Sequence, residues 1–198
     1  RNISHEDKAS RLGKWQTRIG TGLNGKTLGI IGLGRLGSQV ANYGSSFGMN
    51  VLAWSQNLTK EKAEKEQAQL ATFKELLTQS DFISIHTVLS DRTRGLIGTN
   101  EFKLMKGSAF LINTSRGPIV NEEDLLAALK SREIAGAGID VFSDEPLDSN
   151  HELMQLNNVV ITPHIGYVTK ETYKIFYSDT VDCIKRYFDG KPIRVLSR

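Results

Sequence analysis

Short β-branched and aliphatic runs recur from Leu28 onward: LGIIG (28–32), VLAWS (51–55), FISIH (82–86), AFLIN (109–113), GAGID (136–140) and NVVIT (158–162). Longer stretches with helical patterning separate them, so strand and helix alternate. That alternation predicts an α/β fold, a Rossmann-type doubly wound parallel sheet of six or more strands with helices on both faces. The helix starts are marked. Thr72 with Glu75 three residues on reads as a capping box, and Asn121 before Glu122, Glu123 and Asp124 sets a cap and three anions where the helix dipole favours them. Between Lys60 and Gln67, Glu61 pairs with Lys65 and Lys62 with Glu66 at four-residue spacing, as on a solvated helix face. From Thr169 to Asp189, the spacing of Tyr173, Phe176, Tyr177, Val181, Ile184 and Phe188 predicts an amphipathic helix packed on the sheet, with its aromatic residues in the core.

Composition narrows the setting. A chain of 198 residues, 39% hydrophobic and 24% charged, suits one large globular domain. The net charge of +3 comes from 25 basic and 22 acidic residues interspersed along the chain, which argues against nucleic acid as the main partner. The single cysteine, Cys183, allows no internal disulfide and no thiol metal site, so a reducing, cytoplasmic location without a bound metal is expected. No apolar run approaches the roughly 20 residues that span a bilayer, and a membrane partner is not expected. The opening residues are polar, begin at Arg1 rather than Met and look like the middle of a helix, as in a segment of a longer polypeptide.

Chemistry first enters at Gly32, Leu33, Gly34, Arg35, Leu36, Gly37, a GxGxxG turn directly after the first strand and before a helical pattern. Gly32 permits the tight turn, Gly34 lets the backbone approach a pyrophosphate, and Gly37 lets helix and strand sit close. Amides at the helix start, those of Arg35 and Leu36, then face the anion. The cofactor expected is therefore NAD or NADP. Dinucleotide sites selective for NAD end the second strand in Asp or Glu; here Ser55 stands there, followed by Gln56 and Asn57, with Lys60 nearby. A hydroxyl does not repel a 2′-phosphate, so NADP is expected to be tolerated or preferred.

Three polar residues follow the last three strands: Arg116, Glu145 and His164. In an open parallel sheet the carboxyl edge is where ligands bind, so these distant residues are expected to converge there. A cation, a carboxylate and an imidazole beside a nicotinamide suit proton and hydride chemistry on a carbonyl. His86 reads as structural; no role is expected for His5 or His151, and Cys183 is expected to be buried or half-buried.

The blocks GKTLGIIGLGRLG (25–37), NTSRGPIVNEEDLLAAL (113–129), GAGIDVFSDEPL (136–147) and TPHIGYVT (162–169), in this order and spacing, resemble the D-2-hydroxyacid dehydrogenase family. The resemblance implies that Arg116, Glu145 and His164 are catalytic, that Asp140 holds the nicotinamide carboxamide, and that Thr114 and Ser55 line the cofactor site. It implies NAD(P)-dependent hydride transfer between a 2-keto acid and a D-2-hydroxy acid. Members that oxidise formate carry Gln at the position of Glu145. The family's His before a Pro and Leu pair matches His86, but Val88 stands in place of that Pro. By the same resemblance, residues 1–20 cross between domains and subunits, 21–190 form the dinucleotide-binding domain, and 191–198 begin the return to a substrate domain mostly absent here. A homodimer is implied. The alternative is a dinucleotide-sensing binding module, like the corepressors that resemble this family. Glyoxylate, hydroxypyruvate, pyruvate, phosphoglycerate and phosphite all remain open as substrates.

Overall fold

The structure, a computed structural model, describes residues 2–196. Seven strands form one sheet: β1 (Thr27–Ile31), β2 (Asn50–Trp54), β3 (Gln69–Leu70), β4 (Phe82–Ile85), β5 (Phe110–Asn113), β6 (Gly136–Ile139) and β7 (Val159–Ile161). All pairings are parallel, in the order β3-β2-β1-β4-β5-β6-β7. The six expected strands are present, and β3 adds a short edge strand that two residues of pattern could not announce. The connecting helices are α1 (Ile3–Arg11), α2 (Arg35–Ser46), α3 (Lys60–Lys65), α4 (Phe73–Gln79), α5 (Thr99–Leu104), α6 (Glu122–Ser131) and α7 (Lys170–Phe188).

Register decides where the chemistry goes. Trp54, Ile31, Ile85, Asn113, Ile139 and Ile161 lie in one row across the sheet, each the last residue of its strand. The residues that follow them therefore share a single edge. The strand order reverses between β1 and β4, which opens a crevice at that edge.

Period-two alternation splits the apolar side chains between the two faces. On one face Ile31, Ile83, Ile85, Leu111 and Ile139 pack with Leu76 and Leu77 of α4, Phe102 of α5, and Leu125 and Leu129 of α6. On the other, Leu28, Ile30, Val51 and Ala53 pack with Ala41 of α2 and Ala63 of α3. The capping box at Thr72 and Glu75 is present, and Asn121 caps α6 by accepting from the Asp124 amide. Helices cover both faces only at the β1–β2 half. Toward β7, the second face offers Phe82, stacked on Phe110, with Ile112 and Val160, and these line a cavity of about 1000 Å³ with residues of α1 and of the strap 18–23.

Two expectations need correcting. Helix α7 forms as predicted, but it has no buried residue: Tyr173 is 41% and Phe188 82% exposed, and Phe176, Tyr177, Val181 and Ile184 lie between them. Helical spacing shows that one face is apolar, not which surface covers it, and α7 has no extensive contact with any strand. In α3 the exposed charged face exists, but the ion pair found is Lys60 with Glu64 at 3.8 Å. The helix ends at Lys65, which places Glu66 at its cap and takes it out of the expected pairing.

Candidate active site

The glycine turn after β1 is shaped by its neighbours. Gly32 has φ +98°, and a Cβ there would strike the backbone of His86 and Thr87 at the end of β4, 2.8 Å away. A side chain at Gly37 would collide with the Gly32 carbonyl, so α2 sits directly under the turn. Gly34, by contrast, is exposed and has nothing within 4 Å of where its Cβ would be. The close approach that a pyrophosphate needs is open at that position. No side chain caps α2, and its first amides, at Arg35 and Leu36, have no partner within the helix. Ser55, just past β2, accepts the Leu33 amide at 3.0 Å and so braces the turn from the second strand. Ser55, expected at the cofactor, thus also supports the turn through a bond that spacing alone does not reveal.

After β5 the chain makes a tight loop around Asn113, which is 1% exposed. Its Oδ1 accepts the Ser115 amide at 3.1 Å and its Nδ2 donates to the Arg116 carbonyl at 3.0 Å. Ser115 Oγ donates to the Thr87 carbonyl, tying the loop to the end of β4. Thr114 and Arg116 project from this loop and are exposed. The next residue is Gly117, where a Cβ would overlap the Phe142 carbonyl and the Ser143 amide. Only a glycine lets the loop after β6 lie against the loop after β5.

That contact brings the loop bearing Glu145 alongside Arg116. Glu145 Oε1 accepts the Phe142 amide at 2.9 Å, and Oε2 meets His164 Nδ1 at 2.7 Å. The hydrogen bond with His164 holds the Glu145 carboxyl below its ordinary value, against a smaller desolvation effect, with the Phe142 amide and the charges of His164 and Arg116 adding to it. Glu145 is therefore an acceptor at neutral pH, and the bridging proton sits on Nδ1. His164 Nε2 is the nitrogen left to face a ligand.

His164 has φ +52°, a left-handed backbone that costs a non-glycine residue about 1–3 kcal/mol. Asp140, 5% exposed at the end of β6, holds it there. Its Oδ1 accepts the Thr162 hydroxyl at 2.5 Å and the Ile165 amide at 2.9 Å, and its Oδ2 accepts the Gly166 amide at 3.0 Å. Burial alone would raise the Asp140 carboxyl. The bonds from Thr162, Ile165 and Gly166, with the nearby His164 charge, outweigh it and leave the group below its ordinary value. The ring of Tyr167 meets His164 edge to face, with centroids 5.3 Å apart.

The remaining histidines separate. His86 meets Ser84 Oγ at 2.8 Å, and burial lowers its pKa, as suits the structural role expected of it. His5 meets Thr17 Oγ1 at 3.0 Å on the exposed N-terminal segment. His151, given no partner from sequence, is half-buried against Glu122, Nε2 to Oε1 at 3.0 Å. Cys183 is half-buried, as expected. Among the described residues no helix is long and apolar enough to cross a membrane.

Comparison with known proteins matches residues 1–166 to the family model described as D-isomer specific 2-hydroxyacid dehydrogenase, NAD binding domain. A glyoxylate reductase of Aeropyrum pernix is 42% identical in an alignment 181 residues long that covers 87% of this chain and 54% of that protein. A solved phosphoglycerate oxidoreductase of Vibrio cholerae superposes with a TM-score of 0.86 at 33% identity, over 92% of this chain and 61% of that one. An NAD-complexed D-isomer specific 2-hydroxyacid dehydrogenase of Lactobacillus delbrueckii ssp. bulgaricus, 29% identical, superposes at 0.78 over all of this chain and 64% of that one. The chain thus spans about half the length of the glyoxylate reductase it matches.

The Glu145 and Asp140 shifts carry a pH consequence. Both carboxyls lie below their ordinary values of 4.5 and 3.8, so their bonds stabilise the fold above those values and are lost as pH falls through the lower, folded values. Thermal unfolding followed from neutral pH into that acid window should show Glu145→Gln losing less stability than the wild type. Parallel curves would show that the Glu145 bond contributes nothing.

Proposed function

Since the chain belongs to the D-isomer specific 2-hydroxyacid dehydrogenase family as its NAD-binding domain, we propose that it serves hydride transfer between NAD(P)H and a 2-keto acid, with Arg116, Glu145 and His164 as the reacting protein groups. The observation that carries this reading is the 2.7 Å contact between Glu145 and His164, with Arg116 close enough to act on the same carboxylate. The dinucleotide, when bound, supplies or accepts the hydride. Its phosphates fit the open backbone at Gly34 and the free amides of Arg35 and Leu36, between Gly32 and Gly37. Thr114 lies exposed on the same edge, and Asp140, with three acceptor positions used, keeps one on Oδ2 for a carboxamide donor.

The protein's own steps follow from its charges. The planar Arg116 guanidinium pairs with the carboxylate of the 2-keto acid and polarises the adjacent carbonyl. His164, protonated at both nitrogens, donates from Nε2 to the developing alkoxide while Nδ1–H stays on Glu145. In the oxidative direction the neutral ring keeps Nδ1–H on the carboxylate, which leaves the Nε2 lone pair to take the hydroxyl proton. Glu145 fixes this tautomer as well as the ring's orientation.

Ser55 leaves the site without an acidic residue at the end of β2, so NADP is accepted alongside NAD. The second wall of the cleft, which binds the rest of the substrate, belongs to the stretch of its relatives that this chain does not span. The 1–20 segment and the region from 191 lead to and from that wall; of these, residues 1, 197 and 198 lie outside the described structure. A homodimer is part of the proposal, supported by the exposed apolar side chains of α7 and by Val160, 64% exposed on the edge strand, as is a cytoplasmic setting, which suits the lone Cys183. Among the relatives named above none is a binding module, and that alternative has no support.

With both walls of the cleft present, His164→Ala should lower kcat by about 10²–10⁴-fold while leaving dinucleotide affinity nearly unchanged; wild-type turnover in that variant would falsify the assignment. Titration of NAD and NADP into the unmodified protein should show NADP binding as tightly as NAD or more tightly, and at most about tenfold more weakly. Preference for NAD beyond that would refute the reading of Ser55.

A further inference from the structure

We propose that Glu122 and His151 form a clasp that positions Glu145, holding both ends of its loop with one carboxylate. The proposal rests on the reading of Glu145 and His164 given above. Glu122 stands in the first turn of α6, and its Oε1 takes His151 Nε2 at 3.0 Å while Oε2 faces the Ser143 amide at 3.5 Å. Ser143 and His151 bracket the excursion that carries Glu145. Between them, residues 143–146 and 148–150 are exposed, so the excursion has few other anchors.

The contact is directional. His151 Nδ1 accepts the Leu153 amide at 3.3 Å at the start of a short 3₁₀ turn, so the neutral ring carries its proton on Nε2 and donates it to Glu122. Both side chains are largely covered, at 20% and 26% exposure. The adjacent Glu152 is tied to Lys130 of the same helix, which closes the far end of the excursion against α6 a second time.

At the near end, consecutive amides go to different carboxylates: Phe142 donates to Glu145 and Ser143 points at Glu122. A shift of Ser143 therefore displaces the amide that orients Glu145. Gly117, on the loop that carries Arg116, lies against the Phe142–Ser143 peptide, the one whose N–H points at Glu122. A bland role exists for Glu122, because an anion in the first turn of a helix is favourable wherever the loop lies. Glu123 and Asp124 already occupy that turn, and the dipole alone accounts for neither the His151 contact nor its tautomer.

The sign of one titration separates these roles. Removing the Glu122 charge by itself makes a neighbouring carboxyl easier to ionise, which would lower the Glu145 midpoint further. Loosening the His164 bond does the opposite and returns it toward 4.5. The Glu145 side-chain carboxyl is followed by carbon NMR in this 198-residue chain as wild type, Glu122→Ala, Glu122→Gln and His151→Ala. We expect the midpoint to rise in both alanine variants and to rise less in Glu122→Gln, whose single amide oxygen keeps an acceptor for His151 while its NH₂ faces the Ser143 amide. The two alanine variants break the clasp from opposite sides, so one that fails to fold leaves the other decisive. An unchanged or lowered midpoint in a folded alanine variant overturns the clasp. With both walls of the cleft present, Glu122→Ala should lower kcat about tenfold at unchanged dinucleotide affinity. A raised Glu145 midpoint with undiminished kcat leaves the clasp standing and refutes instead the catalytic reading of Glu145 and His164.

Discussion

A single buried carboxylate holds the site together. Asp140 ends β6 inside the protein and accepts three hydrogen bonds from the turn that follows β7, joining two strand ends that the sheet alone would only set side by side. Charge-assisted bonds of this kind are about twice as strong as neutral ones. They offset the roughly 1–3 kcal/mol cost of the left-handed backbone at His164. With the turn fixed, the imidazole meets Glu145 at 2.7 Å and presents its other nitrogen outward.

The rest of the edge is arranged around that turn by backbone contact. Strand ends fall in one row, so the loops after β1, β2, β4, β5, β6 and β7 are neighbours before any side chain interacts. Two glycines then set how close those loops come. Gly32 sits against His86 and Thr87, and Gly117 against Phe142 and Ser143, where any side chain would push the loops apart. Asn113 and Ser55, each bound to backbone, stiffen the loops bearing Arg116 and the glycine turn. Arg116 and His164 are thus carried on short, tied segments, and Glu145 on a longer loop held by its own bonds to Phe142 and His164.

What the sequence disclosed follows from which physical signals are local. Strands, caps and the glycine turn are written in adjacent residues, and in a parallel sheet the rule that strand ends share an edge places Arg116, Glu145 and His164 together without coordinates. Tertiary partners are not local. The apolar stripe of α7 was legible, but its exposure was not, because periodicity identifies a face and not its cover. His151 offered no visible partner, since Glu122 lies 29 residues away. Asp140 was readable only through resemblance, as a residue facing the nicotinamide, whereas its bonds to Thr162, Ile165 and Gly166 depend on how β6 and β7 pair. The spacing from Asp140 to Thr162 across a parallel pair, with a polar turn after each strand, is the one signal that could have suggested it.

The central claim is that the Asp140 carboxylate holds His164 against Glu145, and proton NMR of the His164 Nδ1–H tests it most directly. The account predicts a slowly exchanging, strongly downfield resonance in the wild type that disappears in Asp140→Asn, where an amide NH₂ would face a backbone donor. The same resonance persisting unchanged in that variant, with the sheet intact, would contradict it.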